Sequence, residues 1–262
     1  MAFDVDTFAR MGGRLDLGDL DLERGFEGTP LDDASLRCLQ YMHDIEHHTS
    51  CYLRDILVTK AHQDPVMTTF LTVWSYEEHW HGEAIGRVLA THGRPAGSGR
   101  VASVRAALPR TERWRPLSFL IGSTLFPDMV TVQLVWGAVN EWTTQAGYNL
   151  LARRSGHPVL GDLLRRIMRQ EGKHIDFYMT EARRRLATSR RAQRLARFAL
   201  RRYWHPVGYG VRPEEETAFL VKHLFAGEEG RRSAQRIDRQ VDRLPGVSGL
   251  HLVEGVVDLY AA

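Results

Sequence analysis

The chain has few cysteines, few lysines and no long apolar run. Its two cysteines, Cys38 and Cys51, fall within one predicted helix, and two in 262 residues make neither a disulfide framework nor a zinc pattern. No stretch reaches 18 apolar residues, so no membrane-spanning helix is expected. Residues 1–13 carry Asp4 and Asp6 and no apolar segment. They therefore do not read as a secretory leader, and the expected location is cytoplasmic. The 35 basic residues are 32 arginines and only 3 lysines, giving a net charge of +3. No aromatic platform or recognised nucleic-acid motif accompanies them, so no nucleic-acid partner is expected. Forty-three per cent hydrophobic content supplies a sizeable core, and the length suits one large domain or a domain with an appendage.

Residues 1–28 are Gly- and Asp-rich and read as a loosely structured arm. Thr29-Pro30 then offers a cap followed by proline at the first helical position. Apolar residues recur at helical spacing to about Ala61: Leu36, Leu39, Met42, Leu53, Ile56 and Leu57. Asp64-Pro65 repeats the signal for a second helix, closed by Gly93 and Pro95. Residues 94–116, rich in Gly, Ser and Arg, form a crossover. Pro127-Asp128 opens or kinks a third helix, with Ser118 to Phe126 as its backward extension, and Gly156 ends it. Pro158 opens a fourth helix to about Ala187.

Two of these helices carry Glu-x-x-His: Glu78 with His81, and Glu171 with His174. Spacing of three sets the carboxylate and the imidazole on one helix face, able to hold one metal from one side. The other two helices carry Glu46 and Glu141. Glu46 lies 16 residues after Pro30, Glu78 13 after Pro65, Glu141 14 after Pro127 and Glu171 13 after Pro158. In an antiparallel arrangement, mid-helix positions share one level, so all six residues fall in one layer. Four ionised carboxylates in an apolar centre carry a large desolvation cost unless cations neutralise them. One Glu from each of two helices plus Glu-x-x-His from each of two others is the donor set of ferritin-like di-iron and di-manganese proteins. Oxygen-rich donors with one imidazole per ion suit iron or manganese better than zinc. The expected fold is therefore all-α: a ferritin-like four-helix bundle over residues 29–187, with a helical C-terminal extension over 188–262. His43, His47, His48 and His79 crowd the layer but complete no Glu-x-x-His, and are read as supporting or surface residues.

The stretch Trp74-Ser75-Tyr76-Glu77-Glu78-His79-Trp80-His81-Gly82-Glu83 resembles a W-x-x-E-E-x-x-H-G-D/E motif of soluble acyl-(acyl-carrier-protein) desaturases. Glu171-Gly172-Lys173-His174 resembles their second motif, Glu141-Trp142-Thr143-Thr144 their E-x-x-T, and Glu46 followed by Tyr52 their first helix. The resemblance covers about residues 30–187 and implies two irons per chain. Glu46 and Glu141 would each bind one iron, Glu78 and Glu171 would bridge them, and His81 and His174 would complete the set. It also implies that Thr144 assists proton delivery and that Trp74, Glu77 and Gln170 support the ligands from behind. The family usually has Asp where this chain has Gln170. The bacterial type fits better than the longer plant members. Expected partners are an acylated carrier protein, O2, a ferredoxin or similar reductase, and a second copy in a homodimer.

The activity so implied is O2-dependent insertion of a double bond into a saturated acyl chain. Gly137, Ala138 and Gly82 would leave room for that chain or allow close helix packing. A hydroxylase or tailoring oxidase on a carrier-tethered acyl group, and an iron-storage bundle, use the same ligands. Between Glu181 and Glu214 no acidic residue occurs, whereas nine arginines fall within 183–202. Leu195, Phe198, Ala199 and Tyr203 recur at helical spacing as a buried face. Arg190, Arg191 and Arg194 are then the expected docking residues for an acidic carrier protein.

Overall fold

Helix starts follow from local capping chemistry. The computed structural model describes residues 3–261; the first two residues of the expected arm and the last of the expected extension lie outside them. The helices are α1 (Val5–Met11), α2 (Asp33–Leu57), α3 (Pro65–Thr91), α4 (Gly97–Ala106), α5 (Arg115–Leu125), α6 (Met129–Ser155), α7 (Pro158–Thr188), α8 (Arg190–Tyr203), α9 (Glu214–Phe225), α10 (Gly227–Val241) and α11 (Leu252–Ala261). Among the described residues no strand forms, and the fold is all-α.

Asp64 caps α3 by accepting from the amides of Val66 and Met67, with Pro65 in the first turn. Pro158 likewise opens α7, and left-handed Gly156 closes α6. The α2 start differs from expectation. Asp32, not Thr29, is the cap, accepting from the Ser35 amide. Pro30 could occupy a first turn, but a carboxylate two residues later satisfies an orphan amide that Pro30 cannot. Residues 115–125 form a separate helix rather than an extension of α6, because the chain turns extended at Phe126 before Pro127. The crossover itself contains α4.

The four long helices α2, α3, α6 and α7 have 25, 27, 27 and 31 residues. α2 packs on α3, α6 on α7, α3 on α7 and α2 on α6. The short links between α2 and α3 and between α6 and α7 make each of those pairs antiparallel. Fully buried Leu39, Leu71, Ile85, Leu134, Leu151 and Leu163 fill the space between them.

Residues 3–28 are not a loose arm. α1 packs on α3, and Phe8, Leu15, Leu22 and Phe26 are buried. The C-terminal helices pack as well: α8, α9 and α10 contact α6, and α9 also contacts α2. Arg37 grips Glu216 through two 2.9 Å bonds. Asp44, buried on α2, binds Arg100 through two bonds and lies 3.3 Å from Arg212. One carboxylate thus fastens both the crossover and the 204–213 loop to α2.

α8 buries Ala192, Ala196 and Leu200. Phe198 and Tyr203, expected inside, are exposed and touch each other edge to face at 5.9 Å. An i, i+4 row with two alanines lets α8 approach its neighbours closely, which rotates the two aromatics outward.

Candidate metal centre

Six side chains meet at the mid-level of the four long helices. Ligand atoms of Glu46, Glu78, His81 and Glu171 lie within 4.8 Å of one another, as do those of Glu78, Glu141, Glu171 and His174. All six residues are buried. The two groups share Glu78 and Glu171, the carboxylates of the two Glu-x-x-His pairs, and each adds one lone Glu and one His.

Both imidazoles turn Nδ1 inward. His174 Nδ1 is 3.0 Å from Glu171 and 3.2 Å from Glu78; His81 Nδ1 is 3.4 Å from each of the same two. The outward nitrogens are held from behind. His174 Nε2 meets Glu77 at 2.7 Å, and His81 Nε2 meets Gln170 Oε1 at 2.9 Å. The Gln170 amide donates to the Gly13 carbonyl at 3.0 Å and to Glu77 at 3.1 Å, and the Gly13 amide donates to the same Glu77 oxygen. The N-terminal segment therefore closes the network behind both histidines.

The lone carboxylates also have partners. Trp74 Nε1 donates to Glu141 at 3.0 Å. The Tyr148 hydroxyl donates to Glu46. The sequence reading missed Tyr148, although it lies seven residues after Glu141, two turns along the same helix. Phe70 and Phe177 stack face to face at 3.6 Å, Phe8 lies 5.3 Å from Phe70, and Phe8 and Phe70 each meet the His174 ring edge to face at 6.2 Å. This aromatic layer excludes water from that side.

The protonation of the six groups follows from burial and from their contacts with one another. Burial, together with Glu78 and Glu171, pushes Glu46 well above the usual carboxylate range; burial, Glu171 and Glu78 do the same to Glu141. Burial also works against ionised Glu78 and Glu171, but a hydrogen bond from Glu46 and then the two histidines hold Glu78 low, and His174 and His81 hold Glu171 low. His81 rises to about 9 because its two carboxylate neighbours outweigh burial; His174 rises for the same reason. Protons thus occupy places that metal ions would take. His81 Nδ1 and Glu171 Oε1 are buried without a hydrogen-bond partner, and such orphaned donor atoms are what a bound cation satisfies. The donor set could hold two ions.

A cavity opens against this centre. Glu46, Glu78, Glu141, Thr144 and Tyr148 line its polar end. Val221 and Phe225 of α9 and Val253, Val256 and Val257 of α11 line the apolar remainder. The space is not where Gly137 and Gly82 suggested. A Cβ on Gly137 would stand 2.4 Å from the Tyr178 ring, and one on Gly82 would stand 2.8 Å from His47. Both glycines, and fully buried Ala138, serve close packing.

His43 and His48 are buried but belong to neither four-residue group, and His47 gathers with His79 and Glu83 instead. Arg190, Arg191 and Arg194 are exposed on α8. Arg190 and Arg194 line a surface depression with Thr188 and Gln193, and Arg191 lies 3.4 Å from Asp128. No described helix is long and apolar enough to cross a membrane. No protein-family model matches the chain, and no curated protein is detectably similar to it in sequence.

Proposed function

We propose that the chain is an O2-dependent di-iron oxidoreductase acting on a saturated acyl chain, most specifically a desaturase of acyl groups tethered to acyl carrier protein. The observation that carries this reading is the junction of two features. Two donor sets share Glu78 and Glu171, and both adjoin a mostly apolar cavity walled by α9 and α11. Iron storage needs the first feature and has no use for the second.

Held by Glu46, Glu78, His81, Glu141, Glu171 and His174, an iron pair would supply, with O2 and two electrons from a ferredoxin-type donor, oxidising power that no side-chain base has toward an unactivated CH2. The protein's own part is placement. Glu77 and Gln170 fix the ring orientation of His174 and His81, so that both Nδ1 atoms aim inward. The apolar wall holds an extended acyl chain and keeps water from it. Thr144 presents a hydroxyl on the cavity wall one turn from Glu141, where it can hold a proton. The exposed arginines of α8 offer carboxylate- and phosphate-binding groups to an acidic carrier. α8 ends beside Trp204, itself a cavity residue.

The test is incubation of the iron-loaded protein with acylated carrier protein, reductant and O2, followed by mass spectrometry of the carrier. Loss of two hydrogens supports desaturation. Gain of one oxygen would move the assignment to a hydroxylase, a reading that Gln170 in place of the family's Asp keeps in play. An unchanged carrier overturns the acyl reading.

A further inference from the structure

We infer that His47, His79 and Glu83 form a second, mononuclear site for a borderline divalent cation such as Zn2+, on the outer face of α2 and α3. His47 follows Glu46 by one residue and His79 follows Glu78 by one, so both project about 100° away from the inner ligands. Glu83 lies four residues after His79, on the same face of α3. Ligand atoms of the three residues lie within 4.8 Å of one another. His47 Nε2 is 3.6 Å from Glu83, and the His47 and His79 rings are 5.5 Å apart.

His47 is the anchor. Its side chain is only 8 % exposed, and its Nε2 is buried without a hydrogen-bond partner. The ring lies against Gly82, where any Cβ would stand 2.8 Å from Nε2. The α3 backbone thus makes a recess for an imidazole whose free nitrogen points to Glu83. An unpaired buried nitrogen is costly, and a cation held with the flanking His79 and Glu83 removes that cost. His79 is exposed and Glu83 half-exposed, so both can move the short distance to ligand edges of roughly 3.3–3.5 Å around one ion. Arg105, the neighbouring guanidinium, is engaged by the His47 carbonyl and the Ser50 hydroxyl. Two imidazoles and one carboxylate suit Zn2+, Co2+ or Fe2+ and leave one position open to solvent.

The experiment titrates metal-free, full-length protein with Zn2+ against a chromophoric chelator, and with Co2+ to read coordination from its visible spectrum. Wild type should bind one more ion than His79→Ala or Glu83→Gln, neither of which alters the buried core. Glu78→Ala, which disturbs the inner centre, should keep that ion, so the outer site is tested whether or not the inner one loads. Circular dichroism checks that each variant is folded. Equal uptake by wild type, His79→Ala and Glu83→Gln would overturn the inference.

Discussion

Gln170 shows how much one side chain can carry at the residue scale. It accepts from or donates to His81, Glu77 and Gly13, so it couples one histidine, the support of the other and the N-terminal segment. Gln170→Leu should weaken metal binding by about 10–100-fold, and Gln170→Glu, which keeps the acceptor for His81 but sets a second carboxylate against Glu77 and the Gly13 carbonyl, should weaken it less; a chelator competition measures both. The resemblance to desaturases made Gln170 visible as a departure, but its bond to Gly13 was beyond reach, since nothing in a Gly-rich segment announces a backbone partner 157 positions away. His48 gives a pH prediction. Burial, then Arg115, lower its pKa from 6.5 to about 4, and neither ring nitrogen has a partner. The unfolded chain therefore binds this proton near pH 6.5 and the folded chain only near pH 4, so stability falls as pH drops through that window. The loss should be on the order of 3 kcal/mol. His48→Phe, which keeps the aromatic contact with Tyr52, should flatten the urea-midpoint profile between those pH values relative to wild type.

Helices were legible at the element scale wherever a cap and a proline coincided, as at Asp64-Pro65. Pro30 misled because Asp32 competes for the same orphan amides. The α8 face was misread because hydrophobic size was weighted over the small i, i+4 row that sets approach distance. Ligand height survived both errors. Glu46, Glu78, Glu141 and Glu171 all fall near the middle of their helices, since a start shifted by three residues in a helix of 25 moves its centre little. The glycines divide by what fills them. Gly137→Ala forces a methyl against the Tyr178 ring, so it should cost about 1–3 kcal/mol by denaturant unfolding and part α6 from α7 beside Glu141. Gly172→Ala, whose Cβ would meet only Gln145 at 3.9 Å, should be neutral or slightly stabilising.

Taken as a whole molecule, the C-terminal helices explain their presence by the wall they build. Val253, Val256 and Val257 reach the cavity from more than 100 residues beyond Glu141. Such a meeting is fixed by packing of α9 and α11, not by any local pattern, so sequence periodicity could not locate the cavity. If this wall bounds an acyl chain, Val256→Trp should shift preference toward shorter chains at unchanged metal content, read by product analysis across carrier-loaded chain lengths. All of this depends on the centre holding two ions. The direct measurement is iron stoichiometry of purified protein by elemental analysis, for wild type, Glu78→Ala, His174→Ala and the control His48→Phe. In a His79→Ala background, so that the outer site adds no iron, the account predicts about two irons for the intact inner centre and for the control, with at least one lost in each ligand variant. Full iron content in both ligand variants, with the fold intact, would contradict it.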